Sequence, residues 1–138
     1  VASPVNWPGG PAANIAFIND ALQRMRQRGI RPGIYTSAYE WQQITGNADV
    51  GNDVALWYWS VQSGGYGGES PPNFYDFVAF GGWQTPSFKQ FGQLESKCDL
   101  VVNLDVYKRG SVQMPAIGKI HPKQLNRTAT IGGLLEDM

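Results

Sequence analysis

Eleven side chains in this 138-residue sequence can carry a carboxylate, so acid–base chemistry is the first chemistry to look for. Cleaving a glycosidic bond takes two carboxyl groups, one to protonate the leaving oxygen and one to stabilise or attack the sugar carbon. The acids are Asp20, Glu40, Asp49, Asp53, Glu69, Asp76, Glu95, Asp99, Asp105, Glu136 and Asp137. No two of them form an Asp-x-Glu pair that would set both carboxylates on one face of a strand. Asp105 is the best single candidate. Val101, Asn103 and Asp105 alternate with Val102, Leu104 and Val106, and two polar side chains leaving one face of an apolar strand need solvent or a polar site. Glu95 and Asp99 border the turn expected before that strand and read as solvated.

Other chemistries find less support. His121 is the only histidine and lies in a stretch without clear periodicity, which argues against a Ser/His/Asp triad or a His-based zinc site. Cys98 is the only cysteine, so no internal disulfide or Cys-based zinc site can form. Gly64, Gly65, Gly67 and Gly68 lack the helix pattern and lysine of a phosphate loop and read as a flexible connection. Lys plus Arg equals Asp plus Glu at 11 each, so no long-range field favours nucleic acid or an anionic membrane. No apolar run approaches the roughly 20 residues of a membrane helix. The five Trp, six Tyr and six Phe suit stacking on sugars or bases, although most such rings belong to a core.

The elements that must position these groups follow from pattern. With 42% hydrophobic residues, the chain can bury the core of one domain, but not of two. Val1 to Pro11 is punctuated by Pro4, Pro8, Gly9, Gly10 and Pro11 and reads as a loop, with Trp7 its anchor or lid. From Ala12, residues Ile15, Ile18, Leu22 and Met25 recur at helical spacing, and Gly29 caps the end. Arg26, Arg28 and Arg31 lie at that end, where cations complement the helix dipole; this is preferred to a phosphate site. Pro32 suits the first residue of a strand, which starts near Gly33 and gives way at Thr36, Ser37 and Ala38 to a short helix carrying Trp41 and Ile44. A helix, strand, helix passage indicates an α/β protein with a parallel sheet.

Ala55 to Val61 reads as a second strand, bulky on both faces and so covered on both. Ser63 to Asn73 is a Gly- and Pro-rich loop, and Phe74 to Phe80 an apolar patch. Phe88 to Leu94 gives a third strand, with Phe88, Gln90, Gly92 and Leu94 opposite Lys89, Phe91 and Gln93. Leu100 to Tyr107 gives a fourth. The organisation expected is a domain over residues 1–110 and an irregular, poorly packed or disordered tail over 111–138. Four such strands cannot close without an exposed edge, so the sequence reads as part of a larger architecture.

The motifs Gly33-Ile34-Tyr35-Thr36-Ser37 with Trp41 and Ile44, Leu56-Trp57-Tyr58, Trp83 with Pro86, Lys89-Gln90-Phe91, Cys98 and Val102-Asn103-Leu104-Asp105-Val106-Tyr107 stand in a fixed order. In that order they resemble the second half of glycoside hydrolase family 25 lysozymes, the nematode members above all, over roughly Val5 to Lys108. The resemblance implies the C-terminal part of a modified (β/α) TIM-like barrel, lacking the N-terminal strands. It implies hydrolysis of β-1,4 bonds between N-acetylmuramic acid and N-acetylglucosamine in bacterial peptidoglycan, without metal or organic cofactor, by a secreted protein. The catalytic Asp-x-Glu is expected upstream of Val1, so the chain alone is expected to be inactive.

Residue by residue, the resemblance places Tyr35, Trp57, Trp83, Gln90 and Asn103 at the sugar and offers Asp105 as the acid. The family's last strand reads Val-Asp-Leu-Asn, whereas this one reads Val102-Asn103-Leu104-Asp105, displacing the carboxylate by two residues, about 6.6 Å along the strand. Two other readings stay open here: a peptidoglycan- or glycan-binding module without catalysis, and a truncated product without function.

Overall fold

The structure, a computed structural model, describes residues 1–51 and 53–107 and the backbone of 134–135. After a 3₁₀ turn at Pro4–Asn6 come α1 (Gly10–Gln27), β1 (Gly33–Thr36), α2 (Ala38–Thr45) and β2 (Ala55–Trp59). A second 3₁₀ turn at Tyr66–Gly68 precedes β3 (Phe88–Lys97), β4 (Leu100–Tyr107) and β5 (Leu134–Leu135). The strands form one sheet in chain order. β1, β2 and β3 run parallel, β4 is antiparallel to β3, and β5 is parallel to β4. The architecture is mixed α/β.

α1 begins two residues before the expected Ala12 because Pro11 fits the first helical turn, where its missing N–H is no loss. It ends where Gly29 adopts φ +70°. α2 begins at Ser37, whose hydroxyl accepts the Glu40 N–H at 3.2 Å, and ends at Gly46, φ +68°. Burial in β1 and β2 alternates with period two. Ile34, Leu56 and Tyr58 point to the helices and join Ile18, Leu22, Trp41, Ile44 and Trp83 in the core. The expectation that the second strand is covered on both faces does not hold: it ends at Trp59, and Trp57 on the opposite face is 39% exposed. That uncovered face is where the candidate site lies.

β3 departs furthest from a simple alternation. Its pairing with β4 slips between Gln90 and Gly92 and again between Gly92 and Glu95, each slip adding one residue on the β3 side. Lys89, Gln90, Phe91 and Gly92 are therefore buried in succession. Glu95 lies inside the strand, 2% exposed, with Oε1 lacking a partner among the described residues, so its expected solvation is wrong; Asp99 is exposed as expected. Cys98 and Asp99, φ +50° and +61°, make the two-residue turn, whose positive φ angles suit the right-handed twist of the strands it joins.

Loop Ser63–Asn73, read as merely flexible, is hydrogen-bonded to β3 through Gly65 N–H to Gln93 O and Ser70 N–H to Phe91 O. Lys89, fully buried, completes that attachment by donating to Pro71 O, Asn73 O and the Asp76 carboxylate at 2.8, 3.0 and 2.9 Å. Trp7 is an anchor: its indole N–H donates to Ala2 O and its ring packs on the core. The expected tail over 111–138, with His121, lies outside the described residues apart from the Leu134–Leu135 pairing.

Candidate functional site

Strand register builds an aromatic row on the uncovered face. Tyr35 pairs with Trp57, Trp57 with Phe88 and Phe88 with Tyr107. Their ring centroids step across the sheet at 5.1, 6.3 and 6.0 Å. Two residues further along β3, on the same face, Gln90 lies opposite Asp105. The Tyr35 hydroxyl donates to Gln90 Oε1 at 3.0 Å, and the Trp57 indole N–H donates to Asp105 Oδ1 at 2.8 Å. These two bonds tie β1 to β3 and β2 to β4, and they fix the orientation of both rings.

Two groups on this face have shifted proton affinities. Burial raises the pKa of Asp105, against the opposing pull of the Trp57 N–H. The Tyr35 phenol is also raised, first by burial and then by the negative charges of Glu40 and Asp105. Glu40 is thus a second carboxylate within electrostatic reach of the row. It accepts the Trp59 indole N–H at 2.8 Å, the Ser3 backbone N–H at 2.9 Å and the Ser37 hydroxyl at 3.4 Å. A signal for it existed in the sequence. Ser37-Ala38-Tyr39-Glu40 has the Ser-x-x-Glu spacing of a capping box, which places the acid in a helix's first turn. Because α2 follows β1 directly, that turn lies at the carboxyl end of the parallel strands, where α/β proteins bind ligands.

Of the residues singled out from sequence, the structure brings Tyr35, Trp57, Gln90 and Asp105 together. Asn103, two residues along β4, is exposed, and its side-chain oxygen accepts the Leu94 N–H at 3.3 Å across the irregular pairing. Trp83 is a correction. It is 6% exposed on the helix side, donates its N–H to Val54 O at 2.7 Å and packs edge-on to Trp41 at 5.0 Å, so it is a core residue. Phe88 and Tyr107, not singled out, complete the row. Aromatic faces suit the C–H faces of sugar rings, and the row's amide and carboxyl oxygens suit their hydroxyl and amide hydrogens. Only Asp105 Oδ1 takes part in the bond from Trp57, and the Asp105 side chain is half-buried.

A family model described as lysozyme-like protein 1 matches residues 1–91. The chain is 56% identical over 113 residues to lysozyme-like protein 7 of Caenorhabditis elegans, covering 81% of this chain and 40% of that protein. It is 52% identical over 111 residues to lysozyme-like protein 2 of the same organism, covering 80% and 40%. It is 36% identical over 105 residues to probable GH family 25 lysozyme 4 of Dictyostelium discoideum, covering 74% and 45%. The chain therefore spans less than half the length of these relatives. No solved structure matches it. Among the described residues, no helix is long and apolar enough to cross a membrane. With its family model matching residues 1–91 and glycoside hydrolase family 25 lysozymes among its relatives, the chain belongs to the lysozyme-like protein family.

Proposed function

We propose that this chain supplies the sugar-binding face of a secreted lysozyme-type glycosidase. The bond cleaved is the β-1,4 link between N-acetylmuramic acid and N-acetylglucosamine in bacterial peptidoglycan. The observation that carries this reading is the Tyr35, Trp57, Phe88 and Tyr107 row with Asp105 held against Trp57. Sugar rings stack along the row, and Gln90 and Asp105 hydrogen-bond their edges. Asp105, its carboxyl shifted toward the protonated form, is the group here suited to donate a hydrogen bond or a proton to a sugar oxygen. In this reading the sheet is the later part of a (β/α) barrel, supported by three parallel strands with the core on their helix side.

In this reading the carboxylate pair needed for turnover belongs to sequence of the kind that the relatives carry beyond the matched segment. Catalytic geometry tolerates errors of about an ångström, and an acid displaced by two strand residues does not reproduce the family arrangement. Binding without turnover is accordingly the activity assigned to these 138 residues. Titrating the chain with a soluble peptidoglycan oligosaccharide of two or more disaccharide repeats while following tryptophan fluorescence is expected to give a saturable change but no increase in reducing ends. Absence of any saturable change refutes the binding face; measurable sugar release refutes the assignment of catalysis elsewhere.

A further inference from the structure

A second concave surface shares no residue with the aromatic row. An open cleft of about 300 Å³ lies between the Pro4–Asn6 turn and α1, lined by Asn6, Trp7, Pro8, Asn14 and Phe17. We propose that this cleft is a separate carbohydrate subsite that takes a single uncharged N-acetylhexosamine unit, such as the N-acetylglucosamine of a glycan strand. The preference for a sugar over other neutral ligands rests on the chain's reading as a glycan binder.

Four observations converge on that ligand. Trp7 and Phe17 meet at 68° with centroids 6.0 Å apart, so they form two walls of a corner. One wall can stack on a pyranose C–H face while the other meets an acetyl methyl group. Trp7 is held in place by its N–H bond to Ala2 O and its packing on the core, whereas Phe17, in edge contact with Trp7, stays 66% exposed. Asn14 is buried and gives its amide hydrogens to Ile44 O at 2.9 Å and Trp7 O at 3.4 Å, which leaves its oxygen as an acceptor. A side chain at Gly9 would put its Cβ 3.1 Å from that oxygen, so glycine there keeps the acceptor open.

Charge and size narrow the choice. None of the five lining residues ionises, so nothing offsets the desolvation of a carboxylate, and the lactyl acid of muramic acid is disfavoured against N-acetylglucosamine. The volume stands at the lower end of small-ligand sites and admits one ring, not a chain of them.

The test uses the indole N–H signals of the five tryptophans in ¹⁵N–¹H spectra of the chain during titration with N-acetylchitotriose. Trp7 and Trp57 are expected to shift with independent midpoints. Phe17→Ser is expected to weaken the Trp7 response about tenfold, the loss of one stacked ring, while Trp57 is unaffected. Trp57→Ala should leave the Trp7 response in place, and N-acetylmuramic acid should move Trp7 less than N-acetylglucosamine does. A Trp7 signal unmoved while Trp57 saturates overturns the subsite and leaves the face standing. A Trp7 response unchanged in Phe17→Ser also overturns the subsite. Movement of Trp7 with Trp57 still overturns the face and leaves the subsite.

Discussion

Asp105 gives the uncovered face its pH dependence. Its carboxyl holds a proton more tightly when folded than at its ordinary value of 3.8, because burial disfavours the charge. The protonated form therefore favours folding: Asp105's contribution is fully present below pH 3.8 and is lost as pH rises through the higher folded value. Asp105→Asn, which keeps an acceptor for the Trp57 N–H, is predicted to raise the melting temperature at neutral pH. The advantage should vanish in melts at about pH 3; an Asn variant less stable at neutral pH would contradict this. Lys89 makes a second residue-scale case. Lys89→Met removes a fully buried cation, strands Pro71 O and Asn73 O and takes one donor from Asp76, which keeps the Tyr58 hydroxyl, a predicted cost of about 3 kcal/mol by chemical denaturation. The sequence did not reveal Lys89 as a hub because two of its partners are backbone carbonyls, which any residue could supply. Asp105 was legible because its polar face stood out in an apolar strand.

Among the elements, α1, β1, α2 and β4 were legible, since Ile15, Ile18 and Leu22 keep helical spacing and β4 keeps strict alternation over Leu100–Tyr107. β3 was not. The sequence pattern ends the strand at Leu94 and puts Glu95 in a solvated turn, whereas the added residues next to Gln90 and Glu95 carry β3 on to Lys97 and turn Glu95 inward. Trp83 was misplaced because a motif resemblance orders residues along the chain but does not say which layer of the sheet holds each ring. The turn that positions it depends on Gly81, at φ +56°, where a Cβ would lie 2.5 Å from Trp41 Nε1 and 2.8 Å from the Trp83 ring. Gly81→Ala is predicted to destabilise by about 2 kcal/mol or more, from backbone strain and overpacking together. A lowered urea midpoint with an unchanged slope is the expected result.

At the scale of the whole molecule, the sheet formed by the described residues is open and its aromatic face is uncovered among them. Among the described residues β1 pairs with β2 alone, and Trp57, Val101, Leu94 and Leu100 are exposed. Unpaired edges and apolar faces favour self-association and low stability. The isolated chain is predicted to elute from a sizing column with concentration-dependent mass and to melt below the ordinary mesophilic range of about 45–65 °C. A concentration-independent monomer with a cooperative melt above that range would argue against the partial-barrel reading. The partial-barrel reading comes from the family motifs alone, because nothing local in a strand records how many neighbours its sheet has.

Co-sedimentation with insoluble bacterial peptidoglycan most directly tests the proposal that the aromatic row is a glycan-binding surface. The wild-type chain is predicted to pellet with the polymer and Trp57→Ala to stay mostly in the supernatant, since it loses both the central ring and the donor to Asp105. A wild-type chain that remains in solution, or a Trp57→Ala chain that pellets equally well, would contradict it.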